Sequence, residues 1–518
     1  MNKFYLTTPI YYVNDVPHIG HAYTTIAADV LARYYRARGA DVFFLTGTDE
    51  HGLKVAEAAA ARGVPPKQFV DEIVPRFRVA WRELDIGYDY FIRTSDERHE
   101  QGARKFLSKL HKVGDVYKGV YEGLYCVGCE RFYQPDELTP DGNCPLHLTP
   151  PEQYAEENYF FRLSAYRDVL TRAITDPADP NHFEIDPPAR RNEILGKLQA
   201  GLQDISISRA SLTWGIQLPW DPSQTCYVWI EALMNYVTAV GYSDDPDQFG
   251  RYWPADVHLM AKDILWFHSV IWPAMLISAG LPVPRRIYAH GFFTINGQKM
   301  SKTLGNVIAP HQLVERYGAD ASRYLLLSEF PFGVDGNVSL DSFDQRFNAD
   351  LANDLGNLLN RTVSMINRYF EGAVPPASAQ PHPDDGGLVA AASALAERVD
   401  RAIPALEFSV GLEAVRSVVS EANRYVDATQ PWALARSDRR SARLETVLYN
   451  VAETLRLIAL ELQPVMPGAT GRLLEQLGLS AEGAGERRWG AFPPGRRVAD
   501  QPWPLFPKLE LVDGRAGR

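Results

Sequence analysis

Two histidines near the amino terminus stand in a motif that could bind a phosphate. Residues 17–21 read Pro-His-Ile-Gly-His, between a strand-like run and a helical pattern. A strand that leads into a helix N-terminus forms an anion site, because free backbone N–H groups point outward there. His18 and His21 add imidazole donors on one face of the first turn, and Gly20 lets a ligand approach the backbone.

A second motif, far along the chain, could bind a polyphosphate. It is a loop bracketed by Gly297 and Gly305, and its centre reads Lys299-Met300-Ser301-Lys302-Thr303. Two lysines at i and i+3, with the Ser301 hydroxyl between them and the Thr303 hydroxyl after the second, suit a flexible clamp on triphosphate oxygens. Taken alone, a solvated lysine-rich surface loop is the favoured reading of this stretch.

Three cysteines and a histidine have the spacing of a metal site. Cys126-x-x-Cys129 is followed, after fourteen residues, by Cys144-x-x-His147. Thiolates and an imidazole in this pattern can close a tetrahedral Zn²⁺ site, and four protein ligands leave no open position for catalysis. The pattern therefore predicts a structural zinc knuckle, with a redox pair or a chance arrangement as the alternatives. Cys226 stands apart and is expected to be a small buried hydrophobic residue.

The elements around the first motif alternate between strand and helix. The predicted strands are Phe4–Val13, Asp41–Leu45, Tyr88–Thr94, Val257–Ala261 and Arg286–His290, and the first predicted helix is Ala22–Arg38. Such alternation is typical of an α/β fold with a Rossmann-like, doubly wound parallel sheet.

Ligands bind at the carboxyl ends of the strands in sheets of this kind. The His18 motif and the stretch Thr46–Gly52 both follow predicted strands, which places Asp49 where it could hold a substrate ammonium. A helix N-cap is the alternative for Asp49. Asp263 follows the strand Val257–Ala261 and suits ribose hydroxyls.

The pattern changes twice along the chain. Residues 116–224 interrupt the alternation and contain the knuckle at 126–147, and from residue 343 only helical spacing is found. We therefore expect a Rossmann catalytic domain in two halves, 1–115 and 225–342, a connective insertion at 116–224, and a helical bundle with a tail at 343–518. The predicted helices of the bundle are Asp344–Phe370, Asp385–Ile403, Glu407–Ala428, Pro431–Arg436 and Ser441–Gln463. Little regular structure is expected after Leu479.

The composition limits the class of protein to which the chain can belong. The 518 residues are 46% hydrophobic and 23% charged, which is enough for several cores. No apolar run has membrane-spanning length and no leader pattern follows Met1, so a cytoplasmic protein is expected. Four cysteines form no disulfide framework. A net charge of −11 argues against non-specific nucleic-acid coating but permits a local RNA-binding face.

Together and in this order, the two motifs resemble the HIGH and KMSKS signatures of class I aminoacyl-tRNA synthetases. The first matches at all four positions, and the second matches at four of five, with Thr303 in place of a serine. The chain as a whole is similar to the methionyl-tRNA synthetases, notably in Asp204–Arg209, Val228–Tyr236 and Asn353–Arg361. Two departures are Glu231, where some members have aspartate, and Ala261, where many have glycine.

The resemblance implies roles for named residues. The methionine pocket would be formed by Ile10, Tyr12, Trp229, Ala232, Leu233, Tyr236, Ile264 and His268, with Asp49 on the ammonium. ATP would be bound by His18, Gly20, His21, Asp263, Lys299, Met300, Ser301, Lys302 and Thr303, and the anticodon of tRNA(Met) by Asn357, Arg361 and Trp432. Aromatic and apolar walls suit a thioether, and an aromatic beside Asn and Arg suits an unstacked RNA base.

The implied reaction is attachment of methionine to tRNA(Met) through methionyl-adenylate, with Mg²⁺ accompanying ATP. His18 and His21 would stabilise the α-phosphate, and Lys299 and Lys302 would hold the leaving pyrophosphate. The alternatives are another class I synthetase for an apolar amino acid, a nucleotidyltransferase that binds no tRNA, and a non-catalytic RNA-binding protein. Residues 116–224 leave little room for an editing domain, and the short segment after Leu479 predicts a monomer.

Overall fold

The structure is a computed structural model, and it describes residues 3–13, 16–129, 131–133, 135–295, 297–299, 307–377, 382–439, 441–480 and 482–510. The chain forms two compact units. The N-terminal unit comprises Met1–Ala28, Tyr35–Arg82 and Ile86–Gly291, and the C-terminal unit comprises Asp29–Tyr34, Glu83–Asp85 and Phe292–Arg518. Among the described residues, no helix is both long and apolar enough to cross a membrane.

The strands are numbered along the chain as follows: β1 Lys3–Tyr12, β2 Asp41–Asp49, β3 Tyr90–Arg93, β4 Val116–Cys126, β5 Arg131–Tyr133, β6 Glu152–Phe161, β7 Glu184–Asp186, β8 Ile205–Ser206, β9 Ser208–Arg209, β10 Gln217–Leu218, β11 Asp221–Cys226, β12 Val257–Ala261, β13 Arg286–His290, β14 Phe293–Ile295, β15 Gln298–Lys299 and β16 Gly336–Val338.

The α-helices are α1 Ile19–Arg36, α2 Leu53–Ala61, α3 Pro66–Glu83, α4 Glu97–Lys112, α5 Arg167–Thr175, α6 Pro188–Ala200, α7 Val228–Leu233, α8 Asn235–Thr238, α9 Pro246–Tyr252, α10 Trp272–Ser278, α11 Pro310–Tyr317, α12 Ala319–Ser328, α13 Leu340–Arg346, α14 Asn357–Phe370, α15 Gly386–Ser393, α16 Leu395–Ala402, α17 Phe408–Thr429, α18 Pro431–Ser437, α19 Ala442–Leu462 and α20 Pro467–Gln476. Two π-helical segments, Phe267–Ile271 and Phe347–Gly356, and short 3₁₀ turns complete the helical structure of the described residues.

The main sheet of the N-terminal unit has the strand order β3-β2-β1-β12-β13-β7, and every neighbouring pair is parallel. This is the doubly wound sheet expected from the alternating pattern. β2 is buried along nearly its whole length, because helices cover both faces of such a sheet. Parallel pairing brings the carboxyl ends together at one edge, where Tyr12 is opposite Asp49 and Ala261 is opposite His290.

Residues 116–224 build their own antiparallel sheet in the order β5-β4-β6-β8. The long β4–β6 pair runs from Val116 opposite Phe161 to Tyr125 opposite Glu152, and the knuckle cysteines begin where β4 ends. The same segment also contributes β7, which forms the edge of the main sheet beside β13. The sequence pattern does not predict this strand, since its three residues include two carboxylates.

The C-terminal unit carries a small sheet, β15-β14-β16, followed by helices. Residues 340–370 form one helical run with a π-helical segment in its middle, and α15 to α19 lie within two residues of the predicted helix bounds. α17 and α19 carry the buried apolar faces that form the core of this bundle. From 482 to 510 the described regular structure is a 3₁₀ turn and one bridge, Ala373 with Arg497, which agrees with the expectation for this segment.

Candidate functional site

The two motif histidines lie together at the start of α1. α1 begins at Ile19, so His18 is the residue before the helix, and its carbonyl accepts the N–H of Ala22 at 3.2 Å. The imidazole rings of His18 and His21 are stacked, with their centroids 3.8 Å apart. The Gly20 N–H donates to His18 Nδ1 at 3.1 Å, and the His18 N–H donates to His21 Nδ1 at 3.4 Å.

These bonds correct one expectation about the motif. The N–H groups of His18 and Gly20 do not point outward toward a ligand; the two imidazoles accept them. Because each Nδ1 accepts a hydrogen bond, the neutral ring holds its proton on Nε2 and is a donor there. Burial lowers the pKa of His18 to about 4, and burial with the neighbouring His18 holds the pKa of His21 well below its usual value. Both rings are therefore neutral Nε2–H donors at pH 7.

The loop after β2 is fixed by a network around Glu50. Arg93 Nε and Nη2 donate to the two carboxylate oxygens of Glu50 at 2.7 and 2.8 Å, and the Thr48 hydroxyl donates to Oε1 at 2.6 Å. Asp49 is buried beside this network at the carboxyl end of β2, opposite Tyr12 of β1. The N-cap of α2 is Gly52, so the alternative reading of Asp49 as a helix cap is wrong.

A second buried network holds the other side of the same loop. Glu231 of α7 is fully buried, and its two oxygens accept from His51 Nδ1 and His99 Nε2, each at 2.8 Å. Burial opposes ionisation of Glu231, but the His51 charge outweighs it and lowers the pKa of the carboxyl; the same pairing raises the pKa of His51 despite its burial. Glu231 thus ties the loop that carries Asp49 to the helix that carries Trp229.

Six of the eight predicted methionine-pocket residues belong to one hydrophobic core or pack against it. Leu233 and Tyr236 belong to it, and Ile10, Tyr12, Trp229 and Ile264 pack against it while remaining partly exposed. Ala232 is 6% exposed and lies on α7 between Trp229 and Leu233.

A polar chain crosses this apolar region. His268 Nδ1 lies 3.0 Å from the carbonyl oxygen of Ile264, to which it donates, so the neutral ring accepts at Nε2 from the Tyr236 hydroxyl at 2.7 Å. Burial lowers the pKa of His268 to about 4, so the ring is neutral. Trp229 stacks on Phe267 with centroids 4.6 Å apart. The result is an aromatic wall in fixed orientation.

Asp263 is exposed in the 3₁₀ turn that follows β12, at the same edge of the sheet. The neighbouring β13 ends at His290, whose Nε2 lies 2.6 Å from the hydroxyl of Thr24 on α1. His290 Nδ1 lies 2.7 Å from the Gly291 carbonyl and donates to it, so Nε2 accepts from Thr24. This bond links the histidine-bearing helix to the sheet. Roles for His51, His99 and His290 were not predicted from the sequence, in which their one signal is a polar residue at or near a strand end.

The lysine loop belongs to the C-terminal unit. Gln298 and Lys299 form β15, with Lys299 opposite Thr294 of β14. The Lys299 side chain and residues Met300, Ser301, Lys302 and Thr303 lie outside the described residues. Their predicted contacts with ATP stay predictions.

The knuckle residues converge as the spacing predicted. One ligand atom each from Cys126, Cys129, Cys144 and His147 lies within 4.8 Å of the others. His147 Nδ1 is 3.2 Å from Cys129 Sγ and 3.8 Å from the sulfurs of Cys126 and Cys144. Tetrahedral zinc with bonds of about 2.3 Å to sulfur separates its ligands by roughly 3.5–3.8 Å. The four residues could therefore hold this metal.

Two other features fit the same reading. Gly128 leaves room for His147, because a Cβ there would stand 2.6 Å from the imidazole Cγ. Cys226, by contrast, is fully buried in the hydrophobic core, as expected for a small apolar side chain.

The three predicted anticodon residues lie in the C-terminal unit. Asn357 and Arg361 are one turn apart on α14, and the guanidinium of Arg361 is 5.6 Å from the ring centroid of Trp432 on α18. Arg361 also pairs with Asp427 at 2.9 Å. Asn357 is exposed and the other two are partly exposed, so a base could reach both the aromatic ring and the polar groups.

Comparison with known families identifies the chain. Residues 4–154 and 135–363 match the family described as tRNA synthetases class I (M), and residues 374–510 match the anticodon binding domain of methionyl tRNA ligase. The chain belongs to the methionyl-tRNA synthetases. The two matches together span nearly all of the described residues.

Individual methionyl-tRNA synthetases are similar over the same length. The methionine–tRNA ligase of Caldanaerobacter subterraneus is 48% identical over 98% of this chain and 79% of its own. That of Streptomyces coelicolor is 43% identical over 98% of this chain and 97% of its own.

A solved structure agrees with these sequence matches. The structure of Mycobacterium tuberculosis methionyl-tRNA synthetase in complex with methionyl-adenylate covers 98% of this chain and 100% of its own, with a TM-score of 0.91 and 43% identity. The apo form of that protein matches with a TM-score of 0.84.

Proposed function

We propose that this chain attaches L-methionine to tRNA(Met) in two steps, through methionyl-adenylate, with release of pyrophosphate and then AMP. The observation that carries the proposal is the TM-score of 0.91, over 98% of the chain, to a methionyl-tRNA synthetase bound to methionyl-adenylate. The anticodon-domain match over residues 374–510 supports the tRNA half of the reaction.

In the first step, the methionine carboxylate attacks the α-phosphorus of ATP. Asp49 holds the substrate ammonium from the end of β2, where the Glu50 and Glu231 networks fix its loop. His18 and His21 donate from Nε2 to oxygens of the α-phosphate. Neutral donors suit this role because they stabilise the developing charge without needing a proton from solvent. Asp263 accepts from the ribose hydroxyls.

Methionine is selected by an apolar pocket with one polar pair. Ile10, Tyr12, Trp229, Ala232, Leu233 and Ile264 form its walls. The Tyr236 hydroxyl is already bonded to His268, so this pair presents ring edges rather than unsatisfied donors to the thioether. A substrate carbonyl at this depth would find no free donor on this pair, and the cost of its desolvation would oppose binding.

The lysine loop supplies charge on the leaving-group side. Lys299 and Lys302 hold the β- and γ-phosphates, and Met300, Ser301 and Thr303 contact the nucleotide through the loop. Mg²⁺ bound with ATP would offset part of the phosphate charge. Because glycines bracket the loop, it closes on ATP and opens to release pyrophosphate.

The knuckle and the bundle complete the proposal. Cys126, Cys129, Cys144 and His147 would hold one Zn²⁺. The bound ion would stabilise the 116–224 insertion between the two halves of the catalytic domain, 1–115 and 225–342. The 343–518 domain reads the anticodon by stacking a base on Trp432, with Asn357 and Arg361 on its polar edge. The enzyme acts as a monomer in the cytoplasm.

The direct test is aminoacylation. Purified protein, ATP, Mg²⁺, labelled methionine and a tRNA(Met) transcript should give acid-precipitable methionyl-tRNA. A tRNA(Met) transcript with a changed anticodon is the matched control, and it should be charged at least about tenfold more slowly, since each recognised base contributes roughly 1–3 kcal/mol. Equal charging of both transcripts would contradict the anticodon assignment, and no charging of either would contradict the function.

A further inference from the structure

The hydroxyl group of Tyr133 lies beside the sulfur atoms of the knuckle. Its oxygen is 3.0 Å from Cys129 Sγ and 3.6 Å from Cys144 Sγ. Tyr133 is on β5, where it is opposite Leu124 of β4, two residues before Cys126. This antiparallel pairing brings the tyrosine ring to the ligand cluster. No role proposed for the methionine, ATP or tRNA sites involves Tyr133.

The tyrosine forms part of the small core of the knuckle. Tyr133 is buried together with Cys126 and Cys144, and Cys129 and Leu138 pack against these three residues. A phenol hydroxyl in such a core costs free energy unless it has a hydrogen-bond partner. A phenylalanine would fill the same space without that cost, so packing alone does not account for the hydroxyl.

The direction of the hydrogen bond is fixed when the knuckle holds zinc. A cysteine that binds zinc is a thiolate, which accepts hydrogen bonds but has no proton to donate. A tyrosine hydroxyl keeps its proton at neutral pH and can donate it once. The Tyr133 O–H is therefore the donor, and the nearer sulfur, Cys129 Sγ, is the acceptor. Since four ligands already complete the tetrahedron, Tyr133 acts on the site from outside it.

The acceptor is also the cysteine that most needs such a partner. Three thiolates and a neutral imidazole around Zn²⁺ leave an excess of negative charge on the sulfurs. A hydrogen bond to a thiolate withdraws part of that charge and fixes the orientation of the ligand. Cys129 is partly exposed, whereas Cys126 and Cys144 are buried. Of the three cysteines, Cys129 is thus the most accessible to solvent and to reagents.

We propose that Tyr133 is a positioning residue of the zinc knuckle, whose O–H donates to the Cys129 thiolate, strengthens retention of the metal and lowers the reactivity of that sulfur. The inference rests on the proposed zinc site and adds to it a residue outside the four ligands. Removal of an outer hydrogen-bond partner of this kind typically weakens metal binding by roughly 10–100-fold.

The first test measures metal affinity. Tyr133→Phe removes the hydroxyl and keeps the ring, so the core of the knuckle stays filled. Its dissociation constant for Zn²⁺, measured at neutral pH by competition with a chromogenic chelator, should be at least about tenfold higher than that of the original protein.

Tyr117→Phe is the matched control for this measurement. It removes a hydroxyl from the same insertion, at the end of β4 opposite Cys126, where that hydroxyl donates to Asp204 at 2.8 Å. Because this hydrogen bond does not reach the knuckle, the control should bind Zn²⁺ within about twofold of the original protein.

The second test distinguishes a lost hydrogen bond from loosened packing. Each protein is kept loaded with excess Zn²⁺ and treated with iodoacetamide, whose carbon forms a bond to a cysteine sulfur while iodide leaves. Mass spectrometry of the peptides then gives the initial rate at each cysteine. In Tyr133→Phe the rate at Cys129 should rise at least about threefold, the effect of one lost hydrogen bond, and the rates at Cys126 and Cys144 should not change.

Three outcomes would overturn the inference. The first is equal zinc affinity in Tyr133→Phe and the original protein, which contradicts the inference alone. The second is faster alkylation of all three knuckle cysteines alike, because that result indicates loosened packing. The third is an original protein that binds no zinc, which contradicts the proposed zinc site and the inference with it.

Discussion

Removing Glu231 tests whether one buried carboxylate holds the ammonium-binding loop against the pocket helix. Glu231→Ala deletes both 2.8 Å hydrogen bonds and leaves His51 and His99 facing a void in the interior. Breaking a buried pair by removing one partner costs about 3–5 kcal/mol. We expect a loss of that size in the free energy of unfolding, measured by urea denaturation at pH 7.

The same substitution should weaken the binding of methionine more than the binding of ATP. His51 follows Asp49 by two residues, and Glu231 lies beside Trp229 and Ala232, so loosening the network disturbs the methionine site first. We expect the KM for methionine in ATP–pyrophosphate exchange to rise at least about tenfold, which corresponds to about 1.4 kcal/mol. The KM for ATP should change less than threefold.

Two further variants test whether these effects come from the loss of the buried carboxylate. Glu231→Asp keeps the charge but is one methylene shorter, so it should restore part of both the stability and the methionine KM. Glu97→Ala removes an exposed glutamate on α4 that accepts a hydrogen bond from the Gln101 side chain, and it should alter stability by less than about 0.5 kcal/mol. A Glu231→Ala protein as stable as Glu97→Ala, or one in which both KM values rise equally, would refute the reasoning.

Three further outcomes are expected. Trp432→Ala should raise the KM for tRNA at least about tenfold and leave tRNA-independent exchange unchanged; a parallel loss of exchange would contradict an anticodon role. Chelation of the metal should open 116–224 to limited proteolysis while the 1–115 fragment stays resistant, and uncut 116–224 in metal-free protein would contradict the zinc assignment. Acid should destabilise the fold as pH falls from 6.5 toward 4, because the pKa of His18 and of His268 is lowered to about 4 and the unfolded chain binds those protons first. Each of these two histidines should lower the free energy of unfolding by about 2 kcal/mol at pH 5. Equal free energies of unfolding at pH 7 and pH 5, measured with urea, would contradict this.

The elements with strong periodicity could be predicted from the sequence. Phe4–Val13 was expected as a strand and β1 is Lys3–Tyr12; Glu407–Ala428 was expected as a helix and α17 is Phe408–Thr429. In both elements, burial of the apolar residues determines which structure forms. The local sequence pattern and the tertiary packing therefore favour the same element. The knuckle was predictable for another reason, since metal ligation constrains spacing within a short segment.

Features that depend on distant partners could not be predicted. β7 is three residues long and pairs with β13 about one hundred residues later, so nothing in Glu184–Asp186 itself marks a strand. Glu231 sits within an apolar run, and its role depends on His51 and His99, 180 and 132 positions away. The helix-start N–H groups were expected to face a ligand because the sequence cannot show that imidazole Nδ1 atoms accept them.

ATP–pyrophosphate exchange with each of the twenty amino acids, without tRNA, tests the central claim most directly. It reports adenylate formation alone, so the nucleotide site and the amino-acid pocket are measured together and tRNA recognition is left out. We expect strong exchange with methionine and little with the other nineteen. Strong exchange with leucine, isoleucine or valine would contradict the pocket formed around Trp229, Tyr236 and His268, and no exchange with any amino acid would contradict the activity itself.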